Sequence, residues 1–175
     1  MTFRWQPLFE TPIFWCPGWN REHRAWSPAI PHTGSLDTKL YAVVATTGVR
    51  RWEFTTGGGI VSTPAVSPDG STVVVGSRDR KLYAVSASSG TKIWEFETGG
   101  VVESSPAFSP DGTTVYVGSS DTKVYAVLVS TGAKKWQFAT GGAVLSSPAV
   151  LDHYVYALST ERGGMSDRGT ERSTL

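Results

Sequence analysis

The residues able to do chemistry fall into a few sets. Trp52, Trp94 and Trp136 recur 42 residues apart. An indole can offer a flat apolar face to a sugar ring or fill a core, and one indole per repeat at a fixed register reads as core. Asp37, Asp79 and Asp121 keep the same step, with Asp69 and Asp111 between them. Carboxylates are what calcium requires, but each stands alone in a short turn with Lys or Gly close behind, without the dense oxygen spacing of a calcium loop. They read as hairpin turn residues. Cys16, His23 and His32 have no zinc-ligand spacing. Asp152 and His153 cannot form a triad with a serine, because neighbours on a strand point to opposite faces and no G-x-S-x-G turn is present. The runs Gly57-Gly58-Gly59, Gly99-Gly100 and Gly141-Gly142 are not followed by Lys-Ser/Thr, so they are not phosphate loops. The expectation is no catalytic, cofactor-binding or metal-binding residue.

Composition constrains the elements that must hold these residues. The chain has 175 residues, 39% hydrophobic and 18% charged, with 16 Lys+Arg against 15 Asp+Glu. That is the make-up of a soluble globular domain, and its near-zero net charge provides no field for nucleic acid or an anionic membrane. The lone cysteine, Cys16, excludes an internal disulfide framework. Apolar runs are too short to span a membrane, and the first 19 residues contain Arg4 and Glu10 and lack the apolar centre of a signal peptide. The 19 glycines imply many turns.

The turns belong to a repeat. Leu40-Tyr41-Ala42, Leu82-Tyr83-Ala84 and Val124-Tyr125-Ala126 are spaced by 42 residues, as are Pro64, Pro106 and Pro148, and Gly48, Gly90 and Gly132. Residues 71–112 laid on 113–154 without gaps give 23 identities in 42 positions. Within a unit the reading is all β: strands at Val73–Val75, Lys81–Ser86, Lys92–Glu97 and Val101–Phe108, separated by Arg78-Asp79-Arg80, Ser88-Ser89-Gly90 and Ser109-Pro110-Asp111-Gly112 turns. Four short strands and one tryptophan per 40 or so residues is the pattern of a β-propeller blade. Lys81–Val85 is apolar on both faces, as a strand between two blades must be. Ile93–Glu97 alternates Trp94 and Phe96 with glutamates, as nearer an outer edge, and Arg50, Arg51, Lys92, Lys134 and Lys135 beside the tryptophans would protect that edge.

The unit G-S-x-D-x-K-[LV]-Y-A-V, then T/S-G-x-[KR]-x-W-x-F-x-T-G-G and S-[ST]-P-A, resembles the pyrroloquinoline quinone (PQQ) type propeller repeat. Quinoprotein dehydrogenases and the lipoprotein scaffold of the bacterial outer-membrane assembly machine share it. The resemblance covers residues 34–158 and implies blade-docking roles for Trp52, Trp94 and Trp136, with Ala42, Ala84, Ala126, Gly48, Gly90 and Gly132 completing the docks. The family's docking aspartate is replaced by Val44, Ser86 and Leu128, which removes the hydrogen bonds it would make. In the dehydrogenases the resemblance implies a calcium-bound PQQ at the ring centre, held by residues that differ from blade to blade. Equivalent positions here are nearly identical, so no such site is expected.

The expected organisation is an irregular Trp/Pro-rich segment at 1–33, propeller repeats at 34–158 and a disordered polar tail at 159–175. Counted from Lys39, the chain supplies two strands of a first blade, two whole blades and one or two strands (Val144–Val150, Tyr154–Leu158) of another. That is about three blades, an incomplete ring. The function expected is a non-catalytic protein-interaction scaffold, binding a protein partner or associating with itself through open blade faces. Two alternatives stay open: part of a PQQ-dependent dehydrogenase whose active-site blades lie elsewhere, or a carbohydrate-binding or sensor propeller. The compartment stays open too.

Overall fold

The computed structural model describes residues 32–152 and 154–160. The expectations placed on residues 1–31, including Cys16 and His23, on His153 and on 161–175 lie outside the described residues. The described residues hold thirteen strands and no helix. They form β1 (His32–Gly34), β2 (Lys39–Val43) and β3 (Arg50–Thr55); β4 (Ala65–Val66), β5 (Thr72–Gly76), β6 (Lys81–Ser86) and β7 (Lys92–Glu97); β8 (Ala107–Phe108), β9 (Thr114–Ser119), β10 (Lys123–Leu128) and β11 (Lys134–Ala139); β12 (Ala149–Leu151) and β13 (Tyr154–Tyr156).

These strands make four antiparallel sheets, ordered β1-β2-β3, β4-β5-β6-β7, β8-β9-β10-β11 and β12-β13. The two middle sheets are complete propeller blades, flanked by partial ones, and the described residues do not close a ring. The first sheet has three strands rather than two, because β1 pairs with β2 from His32↔Ala42 to Gly34↔Leu40. Its sequence, His-Thr-Gly, lacks the β-branched run that marks the equivalent β5. At the other end Thr160 pairs with Ala143, two residues past the expected end of the repeats.

The core lies between sheets. Because successive residues of a strand face opposite sides, one strand serves two neighbours. Val73, Val75, Tyr83 and Val85 pack with Leu40, Ala42, Trp52 and Ile60 of the preceding unit. Their alternates Val74, Leu82, Ala84 and Trp94 pack with Val102, Val115, Val117, Tyr125 and Val127 of the following one. This is why β5 is buried along its whole length. Full burial of each such aliphatic side chain contributes about 1.5–3 kcal/mol.

The segment expected as a strand from Val101 to Phe108 is extended-pairing only at Ala107–Phe108. Upstream of it the backbone is committed elsewhere: Thr98 N–H donates to Arg80 O and Val102 N–H to Ser77 O, tying the linker to the β5–β6 turn of the sheet it leaves. The equivalent Val144–Val150 likewise forms only Ala149–Leu151. Each inner strand of a blade is therefore short and each linker long.

Candidate interaction surface

Trp52 and Trp94 reach across to the next sheet. In β3 Trp52 stands opposite Ala42, and in β7 Trp94 opposite Ala84, so a methyl group leaves room for the indole. The register shifts immediately after both alanines, and the bulge adds twist to the outer strand at the tryptophan. Trp52 Nε1–H donates to Ala87 O at 3.0 Å and Trp94 Nε1–H to Val129 O at 2.6 Å. Each ring lies on a glycine: a Cβ on Gly90 would meet the Trp52 ring at 2.7 Å, and one on Gly132 the Trp94 ring at 2.8 Å. Both glycines have φ near +72°, so the turn itself requires the left-handed conformation as well. Trp52 is 8% exposed and Trp94 7%.

Trp136 and Gly48 keep the register without the partner. Trp136 is 38% exposed and rests on Tyr116 of its own sheet, ring centroids 5.7 Å apart. A Cβ on Gly48, φ +69°, would meet nothing within 4 Å. The expectation of three equivalent docks thus differs from the described structure at Trp136. The turn that would receive its ring is equivalent to Gly132 plus 42, at residue 174, outside the described residues.

The repeated aspartates lie in the turns, and Asp79 and Asp121 tie their sheets to the preceding linker. Asp79 accepts from Lys81 N–H, from the Tyr83 hydroxyl and, from the preceding linker, Gly57 N–H at 2.7 Å. Asp121 does the same with Lys123, Tyr125 and Gly99. Asp37 accepts from Lys39 N–H and the Tyr41 hydroxyl. Burial, reinforced by the hydrogen bond to Asp121, pushes the Tyr125 phenol up to about 12, and the same causes push Tyr83 above the usual phenol range. The bond from Tyr41 holds the Asp37 carboxyl below the usual carboxylate range.

The serine of the S-[ST]-P-A motif has a role that turn and strand patterns do not express. Ser62 Oγ donates to Gly76 O and accepts from Gly76 N–H, both at 2.9 Å, satisfying the end of β5 on the side that β4 does not reach. Ser104 accepts from Gly118 N–H at 3.0 Å, and Ser146 bridges Leu158 N–H and O at 2.9 Å. Gly76 and Gly118 are needed because a Cβ there would stand 2.4 Å from a Val102 or Val144 methyl. The 42-residue recurrence of Ser62, Ser104 and Ser146 is the signal that could have exposed this bridge.

The last complete sheet carries an open apolar groove of about 140 Å³ lined by Val124, Trp136, Phe138, Thr140, Val155 and Ala157. It is the inter-sheet core layer with one side half filled. Phe138 is 64% exposed, whereas its equivalents Phe54 and Phe96 meet Tyr83 and Tyr125 of the next sheet edge-on at 5.4 Å. β12 and β13 cover only the inner part of this face. Apolar side chains also stand exposed at Leu36, Val61 and Leu145 on the linker-side loops. At the positions equivalent to Leu36 and Val61, the intervening unit has an Arg78–Glu103 ion pair at 2.8 Å.

The donor set does not fit a calcium-bound quinone. The three repeated aspartates are spent on backbone amides and tyrosine hydroxyls, and Glu103 is held by Arg78. Among the described residues no three His, Cys, Asp or Glu side chains are grouped to hold a metal. The described residues hold no helix long and apolar enough to cross a membrane, which says nothing of a strand-built barrel.

Comparison with known proteins agrees with this architecture. The model of the family described as outer membrane protein assembly factor BamB matches residues 24–173. Among solved structures, BamB from Moraxella catarrhalis superposes with a TM-score of 0.67 at 25% identity, covering 75% of this chain. The chain spans 44% of that protein's length. A search of curated proteins found no match.

Proposed function

The chain belongs to the family of outer membrane protein assembly factor BamB, and from that premise we propose that it is a non-catalytic propeller scaffold that works by binding protein. The observation that carries this reading is the use of its polar groups. Every aspartate that recurs with the repeat is held by neighbouring groups, Asp79 and Asp121 by the preceding linker as well as their own turns and Asp37, Asp69 and Asp111 by their own turns, while large apolar side chains face solvent: Trp136, Phe138, Tyr154, Tyr156 and Leu158 at one end, Leu36, Val61 and Leu145 on the loops. Exposed apolar surface of this kind serves association rather than turnover. The docking roles of Trp52, Trp94, Ala42, Ala84, Gly90 and Gly132 belong to the same reading: they stiffen the stack so that its faces keep their shape. Ala126, Gly48 and Trp136 hold the same positions at the ends.

In a bacterium lacking BamB, expression of the chain is expected to raise the level of assembled outer membrane β-barrel proteins, as an assembly factor would. With PQQ and Ca²⁺ added to the purified chain, dye-linked oxidation across an alcohol panel is expected to stay at the level of a heat-killed control. Alcohol-dependent turnover above that control would overturn the scaffold reading in favour of a dehydrogenase.

A further inference from the structure

The two ends of the described stack are halves of the same interface. Each internal interface has three matched parts. A tryptophan sits on a left-handed glycine and donates to a carbonyl three residues before it, as in Trp52 with Gly90 and Ala87 O, and Trp94 with Gly132 and Val129 O. A phenylalanine two residues on meets a tyrosine edge-on, Phe54 with Tyr83 and Phe96 with Tyr125. A linker glycine N–H donates to the next turn's aspartate, Gly57 to Asp79 and Gly99 to Asp121.

One end of the described stack holds only the first half of each pair. Among the described residues Trp136 Nε1 has no acceptor, Phe138 has no edge-on tyrosine and the Gly141 N–H has no carboxylate. Among the described residues the other end of the stack holds only the second half. Gly48 has open space where a ring would lie. Tyr41 and Val43 are half-buried where Tyr83 and Val85 are buried, and Asp37 carries its tyrosine and Lys39 bonds without a linker glycine.

From this complementarity we infer that two copies of the chain associate head to tail, Trp136 and Phe138 of one docking on Gly48 and Tyr41 of the other, with Asp37 accepting from Gly141 N–H. Tyr41 and Val43 then fill the groove lined by Val124, Trp136 and Phe138, as Tyr83 and Val85 fill the layer over Leu40 and Trp52. The register fixes how the sheets merge. The pair Val150↔Val155 matches Val66↔Val73, and His32↔Ala42 matches Val74↔Ala84, so β13 and β1 occupy the same strand position. In the composite blade β12 and β13 come from one copy and β2 and β3 from the other, β13 taking the place of β1 beside β2. One three-residue ladder is exchanged for another. Two complete blades from each copy and two composite blades make a ring of six, within the range in which propellers close. The inference rests on the blade contacts alone and does not depend on the scaffold reading, since either could fail without the other.

The test uses the full chain and two variants, each disabling one end. Trp136→Ala removes the ring. Gly48→Asn keeps the left-handed turn, which asparagine tolerates, and places a side chain where the ring must lie. Sedimentation equilibrium of the unaltered chain is expected to show a concentration-dependent dimer, little affected by salt because the joined surfaces are apolar. Either variant alone should raise the dissociation constant tenfold or more. An equimolar mixture of the two should regain a 1:1 dimer, because one intact Trp136 meets one intact Gly48. Phe138→Ser, altering an exposed ring, should weaken association in the same way and stands in should Trp136→Ala fail to fold. A strictly monomeric unaltered chain, association unchanged in Trp136→Ala, or a mixture no more associated than its components would each overturn the inference.

Discussion

Replacing Trp94 by alanine isolates the energy that joins one blade to the next. A buried tryptophan withdraws on the order of 150–250 Å² from water, about 4–6 kcal/mol at ~25 cal/mol per Å². Alanine recovers part of that through its Cβ. The Nε1–H bond to Val129 O is lost too, and the abandoned carbonyl can be rehydrated only if water enters the gap. The expected loss is about 3–5 kcal/mol, the usual cost of deleting a large aromatic from a core. Trp136, which rests on Tyr116 of its own sheet and has no ring dock beyond it among the described residues, should cost roughly 1–2 kcal/mol, because so much of it is already solvated. A double-mutant cycle sharpens the contrast. Gly132→Ala alone costs both the left-handed strain, about 1–2 kcal/mol, and the 2.8 Å clash with the Trp94 ring. In a Trp94→Ala background the ring clash is gone, leaving the strain and the 3.0 Å approach to the residue 94 Cβ, so the two changes should couple by about 1 kcal/mol or more. Urea melts at equal, low protein concentration with linear extrapolation supply all four values. Equal losses at Trp94 and Trp136, or strict additivity in the cycle, would refute the docking argument.

Two further outcomes follow from the same contacts. The Tyr125 phenol, raised to about 12 by burial and its bond to Asp121, favours the folded state fully below the unfolded value near 10. That contribution is lost as pH rises from about 10 to 12; thermal melts across this window should show a fall that Tyr125→Phe flattens. Gly118→Ala should destabilise by roughly 1–3 kcal/mol, since its Cβ would stand 2.4 Å from a Val144 methyl and 2.7 Å from Val144 O, neither free to move far in a packed linker. Gly70→Ala serves as the contrast in calorimetry, strained at φ +72° but with nothing within 4 Å.

The sequence by itself determined what repeats. A period of 42 with strand-forming runs, Asp and Gly turns and one tryptophan fixes the blade, because each strand's preference is local and each turn's chemistry lies in three or four adjacent residues. It also located Trp52, Trp94, Gly90 and Gly132 before any contact was visible. Tertiary structure alone decided what depends on the neighbouring sheet. His32–Gly34 has no strand pattern and becomes β1 because β2 offers a free edge. Val101–Ser105 has a strand pattern, yet its Val102 N–H is drawn to Ser77 O of the sheet it leaves and its Val101 O accepts from Ser120 N–H of the next, so only Ala107–Phe108 pairs. Asp79 and Asp121 read as turn residues, and only the fold brings them 22 residues back along the chain to Gly57 and Gly99. Trp136 holds the same repeat register as Trp94 and differs in exposure, because burial of an outer strand is set by the blade that follows it and not by the strand itself.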